Sequence, residues 1–266
     1  SQFVIEALDL ASARPPAKKA GARELIERSR VQPPLAVNAV RSETLVLRLD
    51  PHGADDYLTC PLKYRYSHVL KLPVMRHHLV IYGSALHKAV EQFFKRRLQG
   101  SPMEEAELLE VFEQSWRSEG FLTREHEELR LEQGRRTLQR FFARQQVEPE
   151  FPTLVEEKFQ FPLEDRLVVV GRWDRVDRRG DDTVIIDYKS SEVRDQAAAD
   201  RKTRDSFQML IYALAWRTLH GTLPARVELR FLETDVVGRA VFTEQDLERV
   251  RELLGRVASG IRAQDF

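Results

Sequence analysis

The chain has 266 residues, which is enough for one core of about two hundred residues and an appendage. Its 42 Lys and Arg residues balance 42 Asp and Glu residues, and this zero formal net charge argues against a protein that coats DNA through overall charge. A single cysteine excludes an internal disulfide framework, no apolar run approaches the ~20 residues of a membrane helix, and no signal peptide is visible. We therefore expect a cytoplasmic protein without a membrane partner.

The N-terminal part is predicted to be a connection followed by helices. Residues 1–10 fit a short helix, and residues 11–34 are rich in Ala, Arg, Lys and Pro, which favours a tether with one short helix at residues 22–30. Beyond Pro51 the apolar spacing is helical to about residue 144. The expected helices there are residues 54–66, 82–98, 103–119 and 124–146.

The rest of the chain combines strands and helices. Strands are expected at residues 154–161, 167–177, 183–189 and 226–233, with a further hairpin partner at residues 238–242. A helix is expected at residues 203–220, and Thr243 to Asp246 should begin a terminal helix with a capping box. The predicted fold class is α/β, with a small mixed sheet flanked by helices and a helical N-terminal portion.

The most informative stretch is residues 168–191, VVVGRWDRVDRRGDDTVIIDYKSS. It is predicted to be two strands joined by a turn at Gly180 and Asp181. Strand side chains alternate faces, so Asp187 and Lys189 project to one side, and the hairpin could bring Asp174 alongside them. Two carboxylates and an ammonium at the end of an apolar ribbon suit a hard divalent cation and an anionic substrate.

A surface ion pair is the competing interpretation of this Asp-x-Lys pattern, because solvated pairs on strands are common. However, Val184, Ile185 and Ile186 precede Asp187 without a break, which indicates a buried strand. Charges at the end of such a strand need a partner or a metal, since their desolvation is costly. The context favours a functional site.

Five blocks in the same order resemble the RecB-type branch of the PD-(D/E)xK nuclease superfamily. They are residues 57–66 (YLTCPLKYRY), 83–87 (GSALH), 171–177 (GRWDRVD), 187–190 (DYKS) and 208–212 (QMLIY). One departure is that Gly171, Arg172 and Trp173 precede the first acid where other members have a proline, a variation that this branch commonly shows. The resemblance covers roughly residues 54–266 and implies a restriction-endonuclease-like core.

The resemblance also implies a metal-dependent deoxyribonuclease that hydrolyses phosphodiesters in single-stranded DNA or at DNA ends. Asp174, Asp187 and Lys189 would be catalytic. His87, Asp174, Asp187 and the backbone carbonyl of Tyr188 would hold one or two Mg²⁺ or Mn²⁺ ions. The metal would lower the pKa of a bound water, and Lys189 would orient that water or stabilise the transition state.

Three supporting assignments have plain structural alternatives. A lone histidine such as His87 is more often structural than a ligand, although it lies beside an apolar helical stripe. Gln208 and Tyr212, four apart on one helix face, are expected to bind substrate, but a core tyrosine with a polar neighbour would look the same. Glu156 and Glu157 could support the metal shell or form a solvated strand face.

The N-terminal stretch extends the resemblance. Residues 1–10, SQFVIEALDL, resemble the last helix of the motor portion of UvrD-like superfamily-one helicases, although a plain N-terminal helix is the alternative. The implied domains are a motor end plus linker at residues 1–34 and a nuclease domain at residues 35–266. Helicase motor domains in the same polypeptide would be partners in DNA repair and recombination. The chain has no GxxxxGK[ST] loop, so it is not expected to hydrolyse ATP.

Cys60 stands where some relatives place one of four cysteines that hold an iron–sulfur cluster. The other three are absent, so either the chain was trimmed before them or this member lost the cluster and Cys60 is a small buried apolar residue. Four thiolates are the ordinary requirement, so we expect no cluster in this chain. Two other functions compete with the nuclease: a catalytically silent DNA-binding or scaffolding domain of the same fold, and a metal-assisted phosphohydrolase acting on small molecules.

Overall fold

One mixed sheet of six strands organises the protein in the computed structural model, which describes residues 46–73, 75–164 and 166–266. The strands are β1 (Leu47–Leu49), β2 (Leu154–Glu164), β3 (Leu167–Arg179), β4 (Asp182–Lys189), β5 (Arg226–Phe231) and β6 (Val236–Ala240). Their order is β1-β3-β4-β5-β6, and β2 pairs antiparallel with β3. Strand β3 is central because β1 and β4 both pair with it, β1 in parallel and β4 antiparallel.

The helices precede the main sheet or follow β4 and β6. They are α1 (Pro51–Thr59), α2 (Pro61–Tyr64), a π-helical turn (Arg65–Val69), α3 (His78–Leu98), α4 (Glu105–Ser115), α5 (Arg124–Val147), α6 (Gln196–Arg204), α7 (Phe207–His220) and α8 (Glu244–Ala263). The sheet with helices on both faces confirms the predicted α/β class. The helix predicted at residues 22–30 and the domain boundary predicted after residue 34 lie outside the described residues.

Two predicted helices are each divided in the structure. The helix expected at residues 54–66 is interrupted at Cys60, because Pro61 begins a new helix and has no amide hydrogen to continue the first one. The helix expected at residues 203–220 is also two helices, since Ser206 caps α7 by accepting a hydrogen bond from the Met209 amide. The single helix predicted at residues 54–66 was wrong, whereas the one predicted at residues 203–220 is present from Phe207 to His220 and only its start was wrong. Strand β1 was not predicted.

Alternation along the strands separates two buried clusters. Ile185 of β4 packs with α7 and α8 residues on one face, whereas Val184, Ile186 and Tyr188 pack with α3, α4 and α5 on the other. The predicted capping box is present at the start of α8, where the Thr243 and Asp246 side chains each bind the other's backbone amide. No helix within the described ranges is both long and apolar enough to cross a membrane.

Candidate active site

The hairpin of β3 and β4 brings the two predicted acids together. Backbone pairing of the two strands ends at Arg175 and Ile186, so Asp174 and Asp187 are the next residues along each strand. The Oδ2 atom of Asp174 accepts a hydrogen bond from the Tyr188 amide at 3.1 Å. The Asp174 side chain therefore replaces a backbone carbonyl as the acceptor at the point where the pairing of β3 with β4 ends.

The two carboxylates share a poorly solvated position. The side chain of Asp187 is 2% exposed and that of Asp174 is 12% exposed. Burial, followed by the negative charge of Asp187, raises the pKa of Asp174 well above its usual range. The Oδ2 atom of Asp187 makes no hydrogen bond of acceptable geometry, although Lys189 Nζ lies only 2.7 Å from it. Two neighbouring carboxylates that are shielded from water favour the binding of a cation.

Gln208 joins the lysine to the acid. Its Oε1 atom accepts a hydrogen bond from Lys189 Nζ at 2.8 Å, and its Nε2 atom donates to Asp187 Oδ1 at 2.9 Å and to Tyr212 Oη at 2.7 Å. Tyr212 is itself buried, and burial raises the pKa of its phenol well above the usual value. The structure thus brings Gln208 and Tyr212 to the acids, where Gln208 fixes the position of the ammonium.

His87 reaches the same point from α3. Its Nδ1 atom lies 3.4 Å from Asp174 Oδ2, and its ring is hydrogen-bonded to the backbone of Tyr188. Desolvation lowers the pKa of His87, which favours the neutral imidazole that metals bind. Gly83, one turn earlier on α3, lies against Ser190, and a Cβ atom there would be 2.9 Å from Ser190 Oγ.

Only one of the two candidate glutamates belongs to this site. Glu156 has a φ of 56° and falls between the pairs that Val155 and Glu157 make with β3, so it lies opposite Asp174. Its side chain is 6% exposed and Arg172 Nε is 2.5 Å from Glu156 Oε2. Burial raises the pKa of Glu156. Glu157 is exposed, so the structure does not bring it to the acids.

A cleft of about 810 Å³ opens in front of these groups. Its walls carry three basic side chains (Arg172, Lys189 and Lys202) and four carboxyl groups (Asp50, Asp55, Asp174 and Asp205). The cleft is large enough for a chain of polar groups, but its own charge is not basic. An anionic substrate would therefore depend on added positive charge.

A buried charge network behind the site was not anticipated from the sequence. Arg175 is 1% exposed and donates to Tyr188 Oη at 3.1 Å, to both carboxylate oxygens of Asp177 and to Glu150. Arg230 also binds Glu150 at 2.6 Å. Glu150 is partly desolvated, but Arg175 and Arg230 outweigh that effect and lower its pKa to about 2. The alternation of Arg175 and Asp177 within an apolar strand is the sequence signal for this network.

The residues present have the donor types that suit a divalent cation, although the ligand atoms of His87, Asp174 and Asp187 do not all lie within 4.8 Å of one another. Two carboxylates, a neutral imidazole and the adjacent Tyr188 backbone form a donor set dominated by hard oxygen atoms. The Oδ2 atom of Asp187 has an ammonium group nearby but no well-formed hydrogen bond, and burial followed by repulsion raises the pKa of Asp174; a bound cation would offset both effects.

The central hairpin holds two acids and a lysine at the end of a mixed sheet. This arrangement is that of a nuclease with the restriction-endonuclease-like fold. Residues 48–266 match the model of the PD-(D/E)XK nuclease superfamily, and the chain belongs to that superfamily. Members of it use divalent metals. A search of curated proteins finds no match. Among solved structures, a candidate exonuclease from Eubacterium rectale is similar, with 8% identity, a TM-score of 0.49, and coverage of 96% of this chain and 89% of that one.

Proposed function

We propose that this chain is a RecB-type, divalent-metal-dependent DNA nuclease that hydrolyses phosphodiesters in single strands or at DNA ends. The observation that carries the proposal is that His87 contacts Asp174 and Lys189 contacts Asp187 at neighbouring positions of the β3–β4 hairpin, and that Asp174 and Lys189 line one cleft. Residues distant in sequence rarely combine this set of groups without a chemical role.

Each residue has a distinct part. Asp174, Asp187, His87 and the Tyr188 carbonyl would hold Mg²⁺ or Mn²⁺, which would polarise the scissile phosphate and lower the pKa of an attacking water. Lys189, which is hydrogen-bonded to Gln208, would supply a positive charge where the phosphoryl group gains negative charge, or would orient the attacking water. Gln208 and Tyr212 also line the cleft, where they can hydrogen-bond phosphate without adding charge. The single imidazole shifts the metal preference somewhat toward Mn²⁺.

The complete set of groups argues against a silent scaffold. A scaffold could keep the fold without retaining two desolvated carboxylates, which destabilise the metal-free protein by their mutual repulsion. The third possibility, a small-molecule phosphohydrolase, lacks support in the sequence, which shows no motif for a nucleotide base.

Cleavage assays test the proposal directly. Labelled single-stranded DNA, double-stranded DNA and RNA are incubated with the protein and Mg²⁺ or Mn²⁺, with EDTA as a blank. We expect DNA cleavage that EDTA abolishes, and at least a ~100-fold slower rate for Asp187→Asn and Lys189→Met. Lys202→Met is the matched control, because Lys202 lines the same cleft but lies over the Phe231 ring. It should lose far less activity.

Equal rates for wild type, Asp187→Asn and Lys189→Met would contradict the site assignment. DNA binding without cleavage under every metal condition would favour the scaffold instead. Cleavage of RNA in preference to DNA would show that the substrate is assigned wrongly.

We also propose that the chain is the nuclease module of a cytoplasmic helicase–nuclease in DNA repair and recombination, with residues 1–34 as motor end and linker and residues 35–266 as nuclease domain. The support is the resemblance of residues 1–10 to a motor helix. Sequencing of the coding region upstream of Ser1 tests this proposal. Superfamily-one motor motifs in the same reading frame are expected, and a stop codon shortly upstream would refute the fusion.

A further inference from the structure

We propose that His52, Asp56 and His68 form a binding site for a transition-metal ion such as Zn²⁺, with ligands distinct from the catalytic acids, although His52 also lines the cleft that Asp174 and Lys189 line. The three residues are the group of histidine and acidic side chains, within the described part of the chain, whose ligand atoms all lie within 4.8 Å of one another.

The buried carboxylate of Asp56 is the centre of the site. Its side chain is 2% exposed, and its Oδ2 atom lies 2.8 Å from His68 Nε2 and 3.6 Å from His52 Nε2. Lys63 Nζ lies 2.6 Å from the other oxygen, Oδ1. His68 Nε2 and Asp56 Oδ2 share a hydrogen bond, so both atoms become ligands when the bound metal displaces the proton between them.

The backbone brings the two imidazoles to Asp56 by different routes. His52 and Asp56 are four residues apart on α1 and so share a helix face. His68 lies in the π-helical turn Arg65–Val69, a rare backbone form that is frequent at functional sites. The wider π turn changes the direction of the side chains after α2, and His68 stacks on Tyr64 with its Nε2 atom toward Asp56.

The distances suit a tetrahedral ion. Ligands at about 2.0–2.1 Å from Zn²⁺ are about 3.3 Å from one another, and the two distances to Asp56 Oδ2 bracket that value. The His52 side chain is 78% exposed, so its ring is free to move the short remaining distance. Two imidazoles and one carboxylate favour Zn²⁺ or Co²⁺ over Mg²⁺, in contrast to the oxygen-rich set of the catalytic acids.

An ion here would stabilise the region where the two ends of the described chain meet. His68 stacks on Tyr64, Tyr64 stacks on Phe266, and Tyr57 donates a hydrogen bond to the Asp265 carbonyl. A metal that joins α1 to the π turn would also restrain this aromatic contact with the C-terminal residues. Its binding should therefore raise the melting temperature.

Metal titration into an Asp174→Asn/Asp187→Asn protein tests the proposal, because that background removes the catalytic carboxylates. After chelator treatment, Zn²⁺ is titrated calorimetrically and Co²⁺ is followed by its visible ligand-field bands. We expect one ion per chain, tetrahedral Co²⁺ bands, and a melting temperature higher by about 5 °C at a hundredfold excess of Zn²⁺ over Kd. His52→Ala should weaken binding at least tenfold, and Asp56→Asn should abolish the Co²⁺ bands.

His52→Ala is the decisive variant, because its exposed side chain can be removed without disturbing the core, and circular dichroism checks that the fold is kept. His126→Ala is the matched control, since His126 packs against His78 in a different histidine cluster. Absence of stoichiometric Zn²⁺ binding, or binding unchanged in His52→Ala, would overturn the proposal. Loss of binding in His126→Ala alone would move the ion to that other cluster and would equally refute the site.

Discussion

At the scale of single residues, the environment of Asp174 differs from that of Asp177, another acid on β3. Asp174 lies on the same strand as Asp177, but Asp177 accepts two hydrogen bonds from the buried Arg175 guanidinium, which carries the opposite charge. Asp174 instead faces a second carboxylate and accepts one backbone hydrogen bond. We therefore expect the Asp174 carboxylate to destabilise the metal-free protein and the Asp177 carboxylate to stabilise it.

We expect Asp174→Asn to stabilise the metal-free protein at neutral pH while it abolishes cleavage. The folded-state pKa of Asp174 is raised above its unfolded value, so the stability that this group provides is complete below the unfolded pKa near 3.8 and is lost as pH rises through the folded pKa. The amide removes the repulsion and can still accept the Tyr188 hydrogen bond. A gain of the order of 1 kcal/mol, or about 2–4 °C in Tm, is expected in EDTA.

Thermal melts of Asp174→Asn and of a control variant, Asp177→Asn, at pH 4 and pH 7 test this prediction. Asp177→Asn should lower the free energy of unfolding by about 1–3 kcal/mol, because it weakens the pairing of a buried arginine. Destabilisation by Asp174→Asn at pH 7 would show that the two acids do not repel each other as proposed.

Gln208 is the second residue whose role can be isolated. Because it contacts both Lys189 and Asp187, Gln208→Leu should lower kcat by about 10–100-fold, a typical cost for a residue that orients an active-site group. DNA affinity should fall by a smaller factor than kcat, because the variant loses at most one uncharged contact to phosphate. Steady-state cleavage together with fluorescence anisotropy separates the two quantities.

Tyr212→Phe is the companion variant, since it removes only the hydroxyl that accepts a bond from Gln208 Nε2. Its effect on kcat should be several times smaller. If Tyr212→Phe proves as damaging as Gln208→Leu, the phenol itself acts in the site and the role given to Gln208 is too large.

At the scale of elements, the approach of β2 to β3 depends on Gly171. Phe159 is paired with Gly171 across the two strands, and a Cβ atom at position 171 would lie 2.3 Å from Phe159 Cζ. The phenyl ring covers the glycine and contacts Trp173, whose indole donates to the Tyr212 carbonyl. This contact connects the β3 segment before Asp174 to the helix that carries Gln208.

We expect Gly171→Ala to lower the free energy of unfolding by about 1–3 kcal/mol, because the added methyl group overpacks a filled position. In a Phe159→Leu background, where the clashing ring atoms are absent, the same substitution should cost much less. Urea unfolding of the four proteins gives the coupling energy of this double-mutant cycle. A coupling energy near zero would mean that the glycine is required for another reason.

At the scale of the whole molecule, strand β1 defines how much of the chain the nuclease fold needs. Residues 44–266 form one compact unit, and the superfamily match begins at residue 48. Leu49 of β1 is buried in the core beside α1, and β1 pairs with the start of β3. The sheet therefore uses residues that precede the first motif of the resemblance.

We expect a chain of residues 44–266 to cleave DNA at the rate of the full chain, since it keeps β1. A chain of residues 51–266 should be less stable by at least about 2 kcal/mol, because it loses the burial of Leu49 and the Asp50 cap of α1. Circular dichroism melts and cleavage assays of the two fragments test this. Inactivity of a well-folded 44–266 fragment would indicate that the preceding residues take part in catalysis.

Local patterns in the sequence determined much of this protein. The spacing of Asp187 and Lys189 puts them on one side of β4, and the apolar run before them correctly indicated a buried strand. The capping box of α8 and most strand positions followed from the same short-range rules, because alternation, caps and turns depend on residues only a few positions apart.

Tertiary structure alone decided which distant groups meet. The left-handed backbone at Glu156 brings that acid, and not Glu157, to Asp174, and alternation along a regular strand could not have distinguished them. The hydrogen bonds of Gln208, the ring position of His87 and the approach of His68 to Asp56 depend on how helices pack against the sheet. Such packing is set by the whole core, so short sequence patterns do not contain it.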